Sequence, residues 1–270
     1  MSIIKGTIRK LLNRFDYDIT TLYYKGSEEY KVKTDVANLN LYDTPTGKYY
    51  LPSFLKKDVV ANTIKRGVNY DDEIIELAKE YFIPGSAILD VGANYGQMSV
   101  VLSKFVADNG GGNVYAFEAE PFVGEVLQRN VKANQRNNII IVMGAVHNKA
   151  GEKLIFPEPD FKRFDSYGSY GVDPNASEGR EVHTLTIDGL NIPDRISFIK
   201  VDIQGSDLFA LQGARETILK NRPVIIFEFE EQFQEEFKTS FNDYVAFVRS
   251  IGYKFIKVIS QVNYVIAPDE

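Results

Sequence analysis

The amino-acid sequence predicts an α/β domain with a mostly parallel sheet that closes on an antiparallel hairpin. Two observations lead to this fold class. Five short apolar runs, typical of strands buried on both faces, alternate with segments of helical periodicity between residues 87 and 229. Two further β-rich runs then follow each other near the C-terminus. The alternation implies right-handed crossovers and parallel pairing, whereas the short last connection implies a hairpin.

The predicted strands are nearly continuous apolar runs, and helical segments fall between them. The strands are AILDVG, NVYAF, IIIVM, SFIKVDI and PVIIFEF, and the helices span residues 71–82, 94–107, 121–135 and 206–220. A last helical segment, NDYVAFVRSIGY, precedes the runs YKFIKVIS and QVNYVIAP. Because these two runs are almost contiguous, we expect them to pair antiparallel and to complete a seven-stranded sheet.

The N-terminal part of the chain has a different character, and we expect residues 1–70 to form an accessory cap on a domain of residues 71–270. LNLYDTPTGKYYLP predicts a hairpin, since Pro and Gly favour its turn. Apolar and basic residues alternate at helical spacing in MSIIKGTIRKLLNRF, which predicts an amphipathic helix. Such a helix could pack on the domain, on a second subunit or on an anionic membrane surface.

Composition narrows the class of protein. The net charge of −6 argues against a nucleic-acid partner, because such proteins usually carry a concentrated basic surface. The chain has no cysteine, which excludes disulfides and thiolate metal sites. No apolar run approaches the roughly 20 residues of a membrane span, and the N-terminus lacks the apolar core of a signal peptide. We therefore expect a cytoplasmic protein without a transmembrane segment.

The interval 151–190 breaks the strand–helix alternation and is rich in Gly, Ser, Tyr and Asp. It predicts a long loop beside the carboxyl ends of the strands, where open α/β sheets bind ligands. Because Gly and Ser dominate residues 161–180 and few large aliphatic residues anchor them, we expect this segment to be mobile without ligand and to order over the acceptor.

The strongest motif is DVGANYG, residues 90–96, directly after a predicted strand and before a predicted helix. Gly92 and Gly96 allow a tight turn and close approach of the backbone to a ligand. The spacing differs from the Gly-x-Gly-x-x-Gly fingerprint that binds a pyrophosphate. S-adenosylmethionine has no phosphate but carries a sulfonium and an ammonium group, so a carboxylate such as Asp90 suits it.

A second motif supports the first. Glu118 ends the next predicted strand, in VYAFEAEP, and its carboxylate can accept hydrogen bonds from two ribose hydroxyls. Glu120, beside it, is better explained as a charge at the start of the next helix. Either motif alone is weak, whereas the two together on these elements indicate a nucleoside-binding site.

DVGANYGQMS, FEAEP, HTLTIDGL and IKVDIQGSDLFALQGA together resemble the FkbM family of methyltransferases, over about residues 70–230. The resemblance implies a Rossmann-like class I methyltransferase fold, S-adenosylmethionine as donor and usually a hydroxyl acceptor, often on sugars or polyketide-type products. It also implies that Asp90, Gly92 and Asn94 line the amino-acid end of the donor, with Glu118 at its ribose.

The candidate catalytic residues follow from charge in an apolar strand. Lys200 and Asp202 interrupt SFIKVDI, and buried charge is costly unless it is paired or used. Asp202, at the carboxyl end of the strand, is a candidate base, and a structural pair with Lys200 is the alternative. Relatives often have Glu where Gln204 stands, which favours Asp202 for that role. His183, beside the long interval, is the second candidate base.

Two alternatives remain open at this stage. Glu228 and Glu230 could join Asp202 in binding Mg²⁺, although a polar sheet end against the cap explains them more simply. Methyl transfer to a hydroxyl of a saccharide or glycosylated metabolite is the predicted function. One alternative is an NAD-dependent oxidoreductase, which the missing pyrophosphate fingerprint and the closing hairpin disfavour. The other is a non-catalytic nucleotide-binding module in a glycan-assembly complex.

Overall fold

A computed structural model of the chain describes residues 21–23, 38–161 and 164–269. A sheet of eight strands lies at its centre. In spatial order the strands are β1 (Thr21–Tyr23), β6 (Ile139–Met143), β5 (Val114–Glu118), β4 (Ala87–Val91), β10 (Ile196–Val201), β11 (Val224–Glu228), β13 (Asn263–Pro268) and β12 (Tyr253–Ile259). The first six strands pair in parallel, and the hairpin of β12 and β13 pairs antiparallel to β11.

The predicted architecture is confirmed, with one strand more than expected. All seven predicted strands form, and the last two make the closing hairpin. The additional strand, β1, pairs in parallel with β6 through Leu22 and Val142. Three residues are too few to show a strand pattern in the sequence. The amphipathic helix predicted within the first fifteen residues lies outside the described residues.

Helices cover both faces of the sheet. They are α1 (Val59–Lys65), α2 (Asp72–Glu80), α3 (Gln97–Asp108), α4 (Pro121–Ala133), α5 (Asp207–Gln212), α6 (Arg215–Asn221), α7 (Glu231–Phe237) and α8 (Phe241–Ser250). The helix predicted over 206–220 is divided into α5 and α6 at Gly213. A Cβ atom on Gly213 would lie 2.0 Å from the carbonyl oxygen of His147, so the backbone passes too closely there for any larger residue.

The two faces of the sheet bury separate hydrophobic clusters, which explains why the strands are apolar throughout. In β4, Ile88 packs on the side of α1 to α4, whereas Leu89 and Val91 pack on the side of α5, α6 and α8. A strand covered on both faces has no solvent-facing positions to fill with polar residues. Within the described part of the chain, no helix has the length and apolar character needed to cross a membrane.

The predicted N-terminal hairpin consists of β2 (Leu39–Thr44) and β3 (Gly47–Pro52), which pair antiparallel. Tyr49 and Leu51 of β3 are fully buried in the cluster that includes α4. The side chain of Asn134 also accepts a hydrogen bond from the backbone N–H of Lys48, at 2.9 Å. The hairpin therefore packs directly on the main domain, and a domain boundary near residue 70 stays a prediction.

The prediction of one long loop over residues 151–190 is wrong. Strands β8 (Lys153–Phe156) and β9 (Arg180–Leu185) lie within it and form a small sheet with β7 (Ala145–Val146). Between β8 and β9, the chain carries aromatic side chains that pack together. Tyr167 is almost fully buried, with its ring centroid 5.1 Å from those of Phe122 and Phe161. Large side chains thus anchor this segment, contrary to the reason given for its mobility.

Candidate active site

A cavity of about 780 Å³ lies at the carboxyl ends of the central parallel strands. The turns that follow β4, β5 and β10 line it, together with the end of β11. The segment between β8 and β9 and the residues before α1 and α2 line its other side. Ligands of open α/β sheets bind in this position, because the strand ends and helix starts present their backbone groups there.

The turn after β4 brings two strand ends into contact. Gly92 has φ +82°, and a Cβ atom there would lie 1.9 Å from the carbonyl oxygen of Asp202. Glycine alone fits this close approach. Asn94, which also has positive φ, donates its backbone N–H to Glu118 Oε2 at 2.9 Å. Gly96 does not line the cavity, since its own close neighbour is Leu127 on α4.

Glu118 lies at the end of β5 in a fixed orientation. Besides the bond from Asn94, its carboxylate accepts the backbone N–H groups of Ala119 and Glu120, each at 2.9 Å. Burial raises the pKa of Glu118 and outweighs these N–H groups, which lower it. Glu120 caps α4 by accepting the N–H of Val123 and forms an ion pair with Arg180. Its predicted position at a helix start is therefore observed.

Asp90 and Lys200 form a buried pair beneath the cavity. Asp90 is 1% exposed, and its Oδ2 accepts a hydrogen bond from Ser99 Oγ at 2.5 Å. Its Oδ1 accepts none from the described residues and lies 3.7 Å from Lys200 Nζ. Lys200 Nζ donates to the carbonyl oxygen of Gly92 at 2.8 Å. Burial lowers the pKa of Lys200, but the nearby carboxylates raise it by a larger amount. The pKa therefore lies above its usual value, and the side chain stays an ammonium.

Asp202 occupies one end of the cavity beside two polar side chains. Its Oδ2 lies 3.3 Å from Lys200 Nζ, and its side chain keeps 26% of its exposure. Gln204 Nε2 donates to Asp202 Oδ1 at 3.1 Å and to Glu228 Oε2 at 2.9 Å. Burial raises the pKa of Glu228 well above its usual range, assisted by the charge of Asp202, and this favours the protonated form of Glu228. Asp202 therefore both pairs with Lys200 and lines the cavity.

The arrangement of these carboxylates bears on the Mg²⁺ alternative. The amide of Gln204, a donor, lies between Asp202 and Glu228, where a cation would need oxygen ligands. Within the described ranges, no three His, Asp or Glu side chains are grouped as metal ligands. The residues present at this end of the cavity therefore fit a hydrogen-bonded pair of carboxyl groups better than a Mg²⁺ site.

His183 is not brought to the cavity. It lies on β9 opposite Lys153 and is absent from the cavity lining. Its Nε2 is 4.0 Å from Glu181 Oε1 on the same strand. The prediction of His183 as a base has no geometric support, because β9 belongs to the small sheet and not to the strands that end at the cavity.

Asp71 is a cavity residue that the sequence does not single out. Two consecutive Asp residues before a helix indicate only a helix start. In the structure, Asp71 has φ 56° and its side chain makes no cap hydrogen bond with α2. It lines the cavity instead. Burial raises the pKa of Asp71 to about 6, and the charges of Asp202 and Lys200 act on it in opposite directions.

A mostly parallel sheet that closes on an antiparallel hairpin, with a cavity at its strand ends, is the class I methyltransferase fold, and the comparison with family models agrees. The model described as the methyltransferase FkbM domain matches residues 90–255, which is more than half of the chain. The chain therefore belongs to the FkbM methyltransferase family. This membership favours methyl transfer over the alternative of an NAD-dependent oxidoreductase.

Three solved structures illustrate the similarity of the chain to known proteins. The methyltransferase FkbM from Methylobacillus flagellatus KT is 20% identical, with a TM-score of 0.45, over 71% of this chain and 49% of that one. M. jannaschii TYW2 in complex with AdoMet is 16% identical, with a TM-score of 0.43, over 85% and 84%. The TehB-like SAM-dependent methyltransferase from Corynebacterium glutamicum is 12% identical, with a TM-score of 0.42, over 78% and 94%.

The present chain thus spans about half the length of the FkbM structure. A search of curated protein sequences found no significant match.

Proposed function

We propose that this protein transfers the methyl group of S-adenosylmethionine to a hydroxyl oxygen of a saccharide or glycosylated metabolite. The observation that carries the proposal is one cavity that joins the Gly92 turn and Glu118 to Asp202. Its volume of about 780 Å³ is at the upper part of the usual range for ligand sites, which suits a donor and an acceptor together.

The donor end of the cavity comprises Asp90, Gly92, Asn94 and Glu118. Gly92 allows the turn after β4 to lie against the end of β10, and Asp90 places a negative charge beneath the cavity, where its Oδ1 lies 3.7 Å from Lys200 Nζ. Glu118 is held by three backbone N–H groups and offers its remaining lone pairs to ribose hydroxyls. When bound, S-adenosylmethionine supplies a methyl group activated by its sulfonium charge.

At the acceptor end, Asp202 takes the proton of the attacking hydroxyl. The new C–O bond forms as the C–S bond breaks, and the proton passes to the carboxylate. Lys200 and Gln204 hold the two oxygens of Asp202 in place, at 3.3 Å and 3.1 Å. Alignment of the two reactants supplies much of the acceleration, since oriented proximity is worth about 7–11 kcal/mol.

The polar character of the acceptor end supports a saccharide. Tyr70, Gln204, Ser260 and Asn263 line it with hydroxyl and amide groups that can bind sugar hydroxyls. Lys200 is already engaged by Gly92 and by two carboxylates, so it offers little to a phosphate. The resemblance to FkbM proteins, many of which modify sugars, supports the same class of acceptor.

The acceptor class is tested by the linkage of the transferred methyl group. We expect radiolabelled methyl from S-adenosylmethionine to appear in a saccharide extract as an ether, which resists mild base. Methyl esters would release their label as methanol under the same treatment. Label found only in esters or amines would contradict the proposed hydroxyl acceptor, and a Gly92→Ala variant provides the background.

Glu118→Ala tests the donor end. We expect the variant to stay folded and to bind S-adenosylhomocysteine about 1.5–3 kcal/mol more weakly, the range for hydrogen bonds to a charged group. Isothermal titration calorimetry measures the difference. Glu125→Ala is the control, because Glu125 pairs with Arg129 on α4 and does not line the cavity. Unchanged affinity in folded Glu118→Ala would remove Glu118 from the donor site.

A further inference from the structure

Asp71 reaches the cavity from a different part of the chain than the strand-end residues. It precedes α2, in a left-handed backbone conformation that Asp and Asn adopt more readily than most residues. An Asp at a helix start usually caps the helix with its side chain. Here the side chain makes no such bond, and the residue lines the cavity. Unusual backbone conformations of this kind occur often at functional sites.

The cavity end that Asp71 faces has an excess of negative charge. Asp90 and Asp202 both form ion pairs with Lys200, and the charges of Asp71, Asp90 and Asp202 all act on that ammonium. The ammonium of Lys200 is thus the positive charge that faces three carboxylates. Glu228 adds no further negative charge while it is protonated. The buried Oδ1 of Asp90 has no hydrogen-bond donor among the described residues. Uncompensated buried charge is costly, so this end favours a ligand that brings a positive charge.

The two forms of the donor differ in that charge. S-adenosylmethionine carries a sulfonium, whereas S-adenosylhomocysteine has a neutral thioether, and both carry the same ammonium and carboxylate. We infer that Asp71 is a specificity-determining residue that favours the charged donor over its neutral product. The inference rests on the proposed function, because it assumes that this cavity is the donor site.

The consequence for the reaction cycle is a change of charge balance. Transfer removes the sulfonium charge from the ligand and places the hydroxyl proton on Asp202. The carboxylates then no longer attract the product through its sulfur, and they are partly neutralised by the proton. Asp71 therefore promotes exchange of product for a new donor.

The experiment compares Asp71→Asn with Asp72→Asn. Asn keeps the backbone preference of Asp71 and removes only its charge. Asp72 is the matched control, because it is the adjacent Asp in the first turn of α2, is exposed and is absent from the cavity lining. Calorimetry at neutral pH gives the dissociation constants of S-adenosylmethionine, S-adenosylhomocysteine and sinefungin, an analogue with an amine-bearing carbon in place of the methylated sulfur.

We expect Asp71→Asn to lower the preference for S-adenosylmethionine over S-adenosylhomocysteine by about tenfold, with sinefungin following S-adenosylmethionine. Asp72→Asn should leave the preference unchanged. Equal loss of affinity for all three ligands, or no loss, overturns the inference while leaving the proposed function intact. Absence of binding to the unmodified protein contradicts the proposed function itself. If Asp71→Asn does not fold, Asp71→Gly, which also permits positive φ, replaces it.

Discussion

Gly92→Ala is expected to abolish donor binding and to lower the free energy of unfolding by about 2–5 kcal/mol. Two effects add. Gly92 has φ +82°, where any residue with a Cβ atom is strained, and that Cβ atom would lie 1.9 Å from the carbonyl oxygen of Asp202. Because the obstacle is backbone, no side-chain rotation relieves it. The ends of β4 and β10 must separate, and both ends line the cavity.

Gly85→Ala separates the two effects. Gly85 has φ +80°, nearly the same as Gly92, but a Cβ atom there has no neighbour within 4 Å. It should cost only the backbone strain, about 1–2 kcal/mol, and should not change S-adenosylhomocysteine affinity. Denaturant unfolding and calorimetry on both variants make the comparison. Equal stability losses with donor binding retained in both would show that Gly92 does not shape the site.

Asp202→Asn is expected to reduce turnover by about 10²-fold or more, the usual scale for a positioned acid–base group. The substitution keeps the shape of the side chain but removes the carboxylate that receives the hydroxyl proton. Affinity for S-adenosylhomocysteine should change little, because this ligand lacks the sulfonium charge and its proposed contacts lie at Glu118 and the Gly92 turn. The ion pair with Lys200 is also lost, although Asp90 remains 3.7 Å from the same ammonium.

Three measurements on Asp202→Asn distinguish the possible roles of this residue. A base gives lost turnover with unchanged affinity for S-adenosylhomocysteine. A purely structural partner of Lys200 gives a lower melting temperature with turnover spared, and a metal ligand requires that EDTA inactivate the unmodified protein and Mg²⁺ restore it. Asp43→Asn, which breaks an exposed ion pair with Lys48 at 3.7 Å and does not touch the cavity, is the control for loss of an ion pair. A stable Asp202→Asn variant with full turnover would refute the catalytic assignment.

The central sheet was predictable because its strands are buried on both faces, so their sequences are apolar without interruption. The small sheet was not. In β9, Arg180, Glu181 and His183 interleave with buried Val182 and Leu185, and β8 is only four residues long. Short strands with mixed polarity resemble loops in a sequence, and only their pairing with each other shows them to be strands.

The meeting of three candidate site residues in one cavity was predictable for a related reason. Glu118 ends its strand, Asp202 directly follows another, and Asp90 is the next-to-last residue of a third. The ends of these parallel strands meet at one edge of the sheet. Lys200 of β10 and Asp90 of β4 are directly paired in the register of these adjacent strands. Asp71 was not predictable, because its place in the cavity depends on how the chain before α2 packs across the sheet. Gly96 matched the motif but serves the contact of α3 with α4 at Leu127.

A crystal structure of the protein with S-adenosylhomocysteine tests the central claim most directly. We predict that the ribose hydroxyls lie within about 3.2 Å of the Glu118 carboxylate, a hydrogen-bonding distance. The thioether sulfur should lie on the side of the cavity that holds Asp202 and Asp71. A ligand bound elsewhere, or one whose sulfur points away from Asp202, would contradict the account of both donor binding and methyl transfer.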